Sequence, residues 1–308
     1  REWARLAAEA GMRYAVLTAK HHEGFCLWDT AQTDYNAVRR GPGRDLVGEF
    51  VEACREHGLK VELYYSLMDW RHPDGVRCAT DDAARRRFLD FTQGCVRELC
   101  TQYGPIDILW YDCHWPLRTP VQWESAEMNA MVRALQPGIL INNRSMLNED
   151  FGTPEEHVTP AAEGRAWEAC MTLNGSWGYM PSAIDWRSVR EILAMLRTAA
   201  AGGGNLLLNI GPRPDGSVPD EAVERLRTVG RWLGRYGDAV YGPLDRVAGR
   251  MEWMLTGQWT LRGNTAYYWV DRWPGTTLAI GGLQTPVRRA TLLPNGTELI
   301  VEQSDCRL

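Results

Sequence analysis

The sequence predicts an α/β fold, specifically a (β/α)8 barrel of the TIM type followed by a small antiparallel β-sandwich. Three observations support this prediction. Apolar runs typical of buried strands alternate with helical stretches long enough for parallel crossovers. Polar side chains stand at the carboxyl ends of these runs, where a (β/α)8 barrel carries its active site. No glycine-rich phosphate loop follows a strand, which argues against a doubly wound sheet.

The first part of the chain contains the elements of the barrel. The sequence predicts, in order, a helix at 1–10, a strand at 14–18, a helix at 46–57 capped by Asp45, a strand at 61–66 and a helix at 81–102. It then predicts a strand at 106–112, a helix at 121–135, strands at 139–143 and 167–173, a helix from 185 to about 200, a strand at 205–210 and a helix from Pro219. The strand runs are continuously apolar, as expected for a sheet covered on both faces.

Six strands can be recognised, whereas a barrel of this type has eight. We therefore expect residues 1–241 to form a barrel domain that lacks its first strand or strands, with the chain beginning inside a helix. From residue 242 the pattern changes to short strands separated by turn signals, at 259–261, 265–270, 277–280, 289–293 and 298–301. Residues 242–308 are thus predicted to be a C-terminal β-sandwich, itself only partly present.

The composition argues against several classes of function. A net charge of −5 with 24% charged residues provides no basic surface, so no nucleic-acid partner is expected. No apolar run approaches the roughly 18 residues of a membrane span, so no membrane partner is expected. The 8 cysteines lack C-x-x-C pairs and disulfide-type spacing, which favours reduced thiols and a cytoplasmic location. Export is not excluded, because a signal peptide would lie upstream of Arg1.

Asp112 is the most informative single residue. It ends the apolar run Ile106–Asp112 and is followed by His114-Trp115-Pro116, so it lies at the rim of the predicted sheet. Enzymes that cleave sugars place carboxylates there, because an oxocarbenium-like transition state needs a nucleophile or a fixed negative charge beside it. Taken alone, such a residue is more often a helix cap or a salt-bridge partner at a strand end.

Other candidate site residues lie at neighbouring strand ends. His21 and His22 follow the first strand and can donate hydrogen bonds to hydroxyl groups; a structural pair, or a metal site shared with Asp112, are the alternatives. Glu155 and Glu156 lie in the loop after the strand 139–143 and could supply the second carboxylate that glycoside hydrolysis requires. Arg144 is a candidate cation at a strand end. The candidate aromatic walls of a sugar pocket are Tyr64, Trp110 and Trp177.

Seven ordered motifs together resemble the α-L-fucosidases of glycoside hydrolase family 29. The match covers essentially all of residues 1–242. Its motifs are YAVLTAKHHEGF (14–25), YYS (64–66), YGPIDILWYD (103–112), INNR (141–144), FGTPE (151–155), WEACMTLNGSWGY (167–179) and GGNLLLNIGPRPDG (203–216). The tail resembles the C-terminal β-sandwich of that family. The first strand of the family, which carries a His-Trp pair, has no counterpart in this chain.

The resemblance implies a retaining exo-α-L-fucosidase without a cofactor or metal, acting on fucosylated oligosaccharides or glycoconjugates. It implies Asp112 as the nucleophile and Glu155 as the acid/base. The implied fucose-binding residues are His21, His22, Tyr64, Trp110, Arg144 and Trp177. Glu168 and Glu156 are supporting residues or rivals for the acid role. The alternatives are a retaining hydrolase or transglycosylase for another sugar, a non-catalytic sugar-binding remnant, and a metal-dependent hydrolase using His21, His22 and Asp112.

Overall fold

The computed structural model describes residues 1–246, 256–281 and 283–304. Seven parallel strands follow in chain order, namely β1 (Tyr14–Lys20), β2 (Lys60–Ser66), β3 (Ile108–Asp112), β4 (Leu140–Ile141), β5 (Phe151–Gly152), β6 (Ala166–Thr172) and β7 (Asn205–Asn209). β1 to β4 form one sheet and β5 to β7 another, and a parallel bridge between Asn142 and Phe151 connects the two. The predicted α/β class is confirmed. The structure has one strand more than the six expected, since β5 has only two residues and is too short to be recognised from the sequence.

Seven helices lie between or beside these strands: α1 (Glu2–Glu9), α2 (Ala37–Arg40), α3 (Leu46–Glu56), α4 (Asp82–Thr101), α5 (Ser125–Leu135), α6 (Val189–Ala201) and α7 (Asp220–Tyr236). Their starts follow from local capping. Asp45 and Asp81 accept backbone N–H groups at the starts of α3 and α4. Ser188 and Glu191 form a capping box, so α6 starts after Ser188 and not at the predicted residue 185.

The strands curve so that distant elements meet. Tyr14, on β1, donates a hydrogen bond across the interior to Glu168, on β6. On the outside, α1 packs against α7 through a cluster that contains Leu6, Ala10 and Leu226. The first of these contacts joins the two sheets, and the parallel register brings the carboxyl ends of neighbouring strands to one edge of each sheet.

Within the described ranges after residue 242, the chain forms two small antiparallel pairs, β8 (Gly257–Arg262) with β9 (Thr265–Val270) and β10 (Ala290–Thr291) with β11 (Glu298–Leu299). The first pair packs on the helices, since Arg197 bonds Asp271 at 2.7 Å and the rings of Trp232 and Trp269 lie 4.7 Å apart. The predicted strand at 277–280 is wrong. Ile280 is buried there, but the segment forms no strand, because an apolar run becomes a strand only when a partner pairs with its backbone.

None of the helices in the described ranges combines the length and the apolar character needed to cross a membrane. The seven cysteines within those ranges are all free, and only Cys113 among them is not fully buried. Cys306 lies outside the described residues.

Candidate active site

Asp112 ends β3 directly beside the end of β2, where Ser66 is its partner in the strand register. The two carboxylate oxygens have different donors. Oδ2 accepts a 2.7 Å hydrogen bond from the hydroxyl of Tyr64, and Oδ1 accepts a 2.7 Å hydrogen bond from Nη1 of Arg144. The side chain retains 17% exposure, so the carboxylate is held firmly but remains accessible.

This environment keeps Asp112 ionised. Burial by itself raises the pKa of the carboxyl group, but the charge of Arg144 and the hydrogen bonds from Tyr64 and Arg144 outweigh burial, so the pKa of Asp112 is lowered. The same contacts affect Tyr64, whose pKa is raised by burial and then by the Asp112 charge, so that it stays a neutral donor. An ionised carboxylate with unused lone pairs can act as a nucleophile.

Arg144 connects the two candidate carboxylates. It follows β4 in a short turn, and its Nη2 donates a 2.7 Å hydrogen bond to Oε2 of Glu155 while its Nη1 bonds Asp112. Nε bonds Oγ1 of Thr153 at 2.9 Å, which fixes the plane of the guanidinium. A forked guanidinium held in this way sets the position of two carboxylates at once.

The adjacent glutamates Glu155 and Glu156 point in different directions. Glu155 reaches Arg144 with a side chain that is 43% exposed. Glu156 adopts a positive φ of 57°, and its carboxylate accepts from the backbone N–H of Thr172 at 2.6 Å and from Arg187 at 3.1 Å. The geometry therefore gives Glu155 the position beside Asp112 and gives Glu156 a role in fixing the end of β6.

Aromatic rings form a continuous wall beside Asp112. The ring of His21 stacks on Tyr64 at 5.8 Å between centroids, and Tyr64 stacks on Trp110 at 5.6 Å. The guanidinium of Arg144 lies over Trp110, 4.6 Å from the ring centroid. Such a wall with a few polar groups is the usual lining of a small-ligand site.

His22 stands between the wall and the carboxylate. Its Nδ1 lies 2.6 Å from Oγ of Ser66, and its Nε2 lies 3.4 Å from Sγ of Cys113. Burial, and then the neighbouring His21, lower the pKa of His22, so the ring is neutral near pH 7. The exposed ring of Trp70 meets His22 edge-on at 5.4 Å and extends the site outwards.

Glu168 lies below this wall and not at its surface. It is buried, and its oxygens accept hydrogen bonds from the hydroxyl of Tyr14 and from Nε1 of Trp110, the latter at 3.0 Å. Burial raises the pKa of Glu168, although both hydrogen bonds act against that rise. Its contacts orient Trp110, and they leave Glu168 separated from the space above Asp112.

Trp177 is the one predicted binding residue that the contacts leave apart from the cluster. It lies in the loop after β6 with 43% of its surface exposed, and its carbonyl accepts from Asn209 at 2.8 Å. No hydrogen bond or ring contact found among the described residues joins its side chain to Asp112.

The geometry changes the set of residues that could share a metal ion. Within the described residues, the set of donor atoms close enough to share a cation, all within 4.8 Å, comes from His22, Asp112 and Cys113. His21, which the sequence placed in such a set, is directed towards Glu23 instead. The sequence did not single out Cys113 or Thr153 as site residues, although Cys113 directly follows Asp112 and Thr153 lies within the motif FGTPE, two positions before Glu155.

Comparison with known proteins links the chain to one family. The α-L-fucosidase family model matches residues 1–238. The α-L-fucosidase of Dictyostelium discoideum is 32% identical over 256 residues, covering 78% of this chain and 55% of that protein. The plasma α-L-fucosidase of Rattus norvegicus is 35% identical over 258 residues, again with 78% and 55% coverage. The chain thus spans little more than half the length of these curated relatives.

Solved structures agree with the sequence relatives. The α-L-fucosidase isoenzyme 1 of Paenibacillus thiaminolyticus superposes with a TM-score of 0.88 at 37% identity, over 98% of this chain and 78% of that one. A GH29 α-L-fucosidase of Bacteroides thetaiotaomicron, a covalent intermediate trapped with 2-fluoro-fucosyl fluoride in a Glu-to-Gln mutant, superposes with a TM-score of 0.89 at 29% identity, over 99% and 76%.

Proposed function

Because this chain belongs to the α-L-fucosidase family, glycoside hydrolase family 29, we propose that it is a retaining exo-glycosidase that removes terminal α-L-fucosyl groups from glycans. The observation that carries the proposal is the single guanidinium of Arg144, which holds both Asp112 and Glu155 at 2.7 Å. Retaining hydrolysis needs two carboxyl groups about 5–5.5 Å apart, and neighbouring nitrogens of one guanidinium keep their partners at short range.

In the first step, Oδ of Asp112 attacks the anomeric carbon of the fucoside. The glycosidic C–O bond breaks as Glu155 transfers its proton to the leaving oxygen, and a fucosyl ester forms on Asp112. The lowered pKa of Asp112 supports this role, because a nucleophile must be ionised before it attacks. Tyr64 and Arg144 hold the carboxylate in place and leave its remaining lone pairs free.

In the second step, Glu155 removes a proton from water, whose oxygen attacks the anomeric carbon and releases Asp112. The partial exposure of Glu155 gives water access to its carboxylate. The acid form needed in the first step requires Glu155 to exchange its ion pair with Arg144 for the glycosidic oxygen, so substrate binding and proton delivery are coupled. Carboxyl groups do both tasks, and the mechanism requires no cofactor.

The sugar would lie against the aromatic wall. His21, His22 and Arg144 supply polar groups for its hydroxyls, and Tyr64 and Trp110 supply ring faces for its C–H groups. We include Trp177, whose exposed ring lies in the loop after β6, as a further contact of the sugar. The substrate class is a fucosylated oligosaccharide or glycoconjugate.

The architecture we propose is a (β/α)8-type barrel over residues 1–241 and a β-sandwich over 242–308. The chain-order arrangement of seven parallel strands and the contact of Tyr14 with Glu168 across the interior support the barrel. The two antiparallel pairs after residue 256 support the sandwich.

Two rival assignments of the acid are less well supported. Glu156 is occupied by Thr172 and Arg187, and Glu168 is buried below Trp110. A non-catalytic fucose-binding protein remains the alternative of a different class; it would bind fucose without turnover. A retaining enzyme for another sugar would turn over its own glycoside in preference to a fucoside.

Trapping with 2-deoxy-2-fluoro-fucosyl fluoride tests the proposal directly. We expect one fluorofucosyl group on the peptide that contains Asp112, found by peptide mass mapping, and none after Asp112→Ala. The exposed helix residue Asp90, replaced by Ala, serves as a matched control that keeps the label. A folded sample that binds fucose but never takes the label would point to the binding protein, and a label on another residue would overturn the assignment of Asp112.

A further inference from the structure

Cys113 introduces a thiol directly beside the proposed nucleophile. The residue has a positive φ of 46°, which turns its side chain towards His22, and its Sγ lies 3.4 Å from Nε2 of that ring. With the carboxylate of Asp112, these two atoms form the set of donors that lie within 4.8 Å of one another. Nothing in the proposed hydrolysis uses the thiol.

Hydrogen bonding fixes which nitrogen of His22 is free. The hydroxyl of Ser66 donates its one proton to the carbonyl of Met68 at 2.9 Å, so its oxygen can only accept from Nδ1 of His22 at 2.6 Å. The ring therefore carries its proton on Nδ1, and the lone pair of Nε2 faces Sγ of Cys113. Metal-binding histidines are prepared in the same way, with the second ring nitrogen donating to a fixed acceptor.

The distances suit a small divalent cation with a preference for nitrogen and sulfur. Tetrahedral Zn²⁺, with bonds of about 2.3 Å to sulfur and about 2.0–2.1 Å to nitrogen, places these two atoms roughly 3.6 Å apart. The observed separation of Sγ and Nε2 is 3.4 Å. Asp112 accepts one bond on each oxygen, so it keeps free lone pairs for a cation.

We propose that His22, Cys113 and Asp112 form a binding site for Zn²⁺, and that the bound ion inhibits the enzyme. Nε2, Sγ and one carboxylate oxygen bind the metal, water takes the fourth position, and the thiol proton passes to solvent. Inhibition follows because the ion occupies the electron pairs with which Asp112 would attack the sugar. The inhibitory effect depends on the proposed function, whereas the binding does not. The positive charge of Arg144 beside Asp112 makes this site weaker than a structural zinc site.

Spectroscopy with Co²⁺ alone tests the binding without any assay of activity. A cobalt–thiolate bond gives a charge-transfer absorption in the near ultraviolet, and we expect it for the unmodified chain and its displacement by Zn²⁺. Cys113→Gly, which suits the positive φ, and Cys113→Ser should both abolish the absorption. Cys78→Ala removes a buried thiol whose hydrogen-bond partner among the described residues is the carbonyl of Gly75, and it should preserve the signal. Retention of the absorption in both Cys113 variants would overturn the site.

Kinetics with a fucoside then tests the consequence. Zn²⁺ should raise KM with little change in kcat, because sugar and metal compete for Asp112, and EDTA should reverse the effect. In Cys113→Gly the inhibition constant for Zn²⁺ should rise at least about tenfold, measured against the metal-free rate of the same variant. Inhibition that lowers kcat alone would contradict competition at this site. A chain that binds Co²⁺ through Cys113 but hydrolyses no fucoside would contradict the proposed function and leave the metal site supported.

Discussion

Arg144 donates a 2.7 Å hydrogen bond from Nη1 to Oδ1 of Asp112, with both side chains less than one fifth exposed. An ion pair in this position is worth more than a surface pair, since little water screens it. The ion pair also lowers the pKa of Asp112, which favours the ionised carboxylate. The remaining nitrogens of the same guanidinium reach the loop that carries the second carboxylate, so one side chain organises the whole site.

Replacing Asp112 by Ala should abolish hydrolysis. We expect kcat to fall by more than about 10⁴-fold, because loss of a nucleophile removes the covalent route completely. Hydrolysis of an aryl fucoside measures the loss, and the thermal unfolding midpoint shows whether the variant folds. Asp90→Ala is the control. A residual rate within about tenfold of the original would show that another residue attacks the sugar.

Replacing Arg144 by Met should move the acid limb of the pH profile. Arg144 is a cause of the lowered pKa of Asp112, so its removal raises that pKa, and the loss of kcat/KM on acidification begins at higher pH. A neighbouring guanidinium typically lowers a carboxyl pKa by about 1–3. Arg133→Met provides a matched control, because Arg133 also bonds two carboxylates but not Asp112. An unmoved acid limb in Arg144→Met would contradict the assignment.

The rate loss on replacing Glu155 should depend on the leaving group of the substrate, whereas the loss on replacing Glu156 should not. Glu155→Gln should slow hydrolysis of an alkyl fucoside by about 10²–10⁴-fold, because the departing alkoxide then receives no proton. Formation of the fucosyl ester from fucosyl fluoride needs far less protonation and should be slowed much less. Glu156→Gln breaks contacts to Arg187 and Thr172 and should affect both substrates equally. If Glu156→Gln slowed the alkyl fucoside far more than the fluoride, and Glu155→Gln did not, Glu156 would be the acid.

Chelation should leave hydrolysis unchanged. The proposed steps use only carboxyl groups, so the rate in metal-free buffer with EDTA should equal the rate without it. The readout is kcat/KM on an aryl fucoside, with added Mg²⁺ and Mn²⁺ as controls. Activity that disappears in EDTA and returns with a metal would favour the metal-dependent alternative over the proposed mechanism.

The sequence could predict that Asp112, Arg144 and Tyr64 lie together, because parallel strands bring their carboxyl ends to one edge, so that residues near strand ends meet. Residue chemistry alone could not separate Glu155 from Glu156, since their directions depend on one positive φ in a loop, and only the family resemblance selected Glu155. Cys113 carried no signal, because a lone cysteine after a strand has no informative spacing.

The burial of Glu62 could also not be predicted from the sequence. A charged residue within the strand run 61–66 would ordinarily face solvent, yet Glu62 is fully buried, and neither of its oxygens has a hydrogen-bond partner among the described residues. Burial, and then the charge of Glu168, raise its pKa well above the usual range. The raised pKa favours the protonated form of Glu62 in the folded protein, where it faces the charge of Glu168, the residue that orients Trp110.

This burial should make stability decrease as the pH rises. Glu62 ionises near pH 4.3 in the unfolded chain and at a higher pH in the folded one, so between these two pH values the folded state binds more protons, and the free energy of unfolding falls as the pH rises. Glu62→Gln removes the ionisation while conserving shape. We expect its unfolding midpoint to exceed that of the parent chain at pH 7.5, and the gain to shrink towards pH 4.5. A gain of about 1.4 kcal/mol, equivalent to one pKa unit, corresponds to roughly 2 °C for a chain of 308 residues.

The matched control is Glu52→Gln, which neutralises an exposed glutamate of α3 and should give the same difference from the parent at both pH values. Thermal unfolding of the three proteins, followed by circular dichroism at each pH, provides the comparison. Since the control cancels the effect of net charge, any pH-dependent gain specific to Glu62→Gln must come from the buried carboxyl. A gain that stays constant from pH 4.5 to 7.5 would mean that Glu62 is ionised in the folded state, and that a partner stabilises its charge.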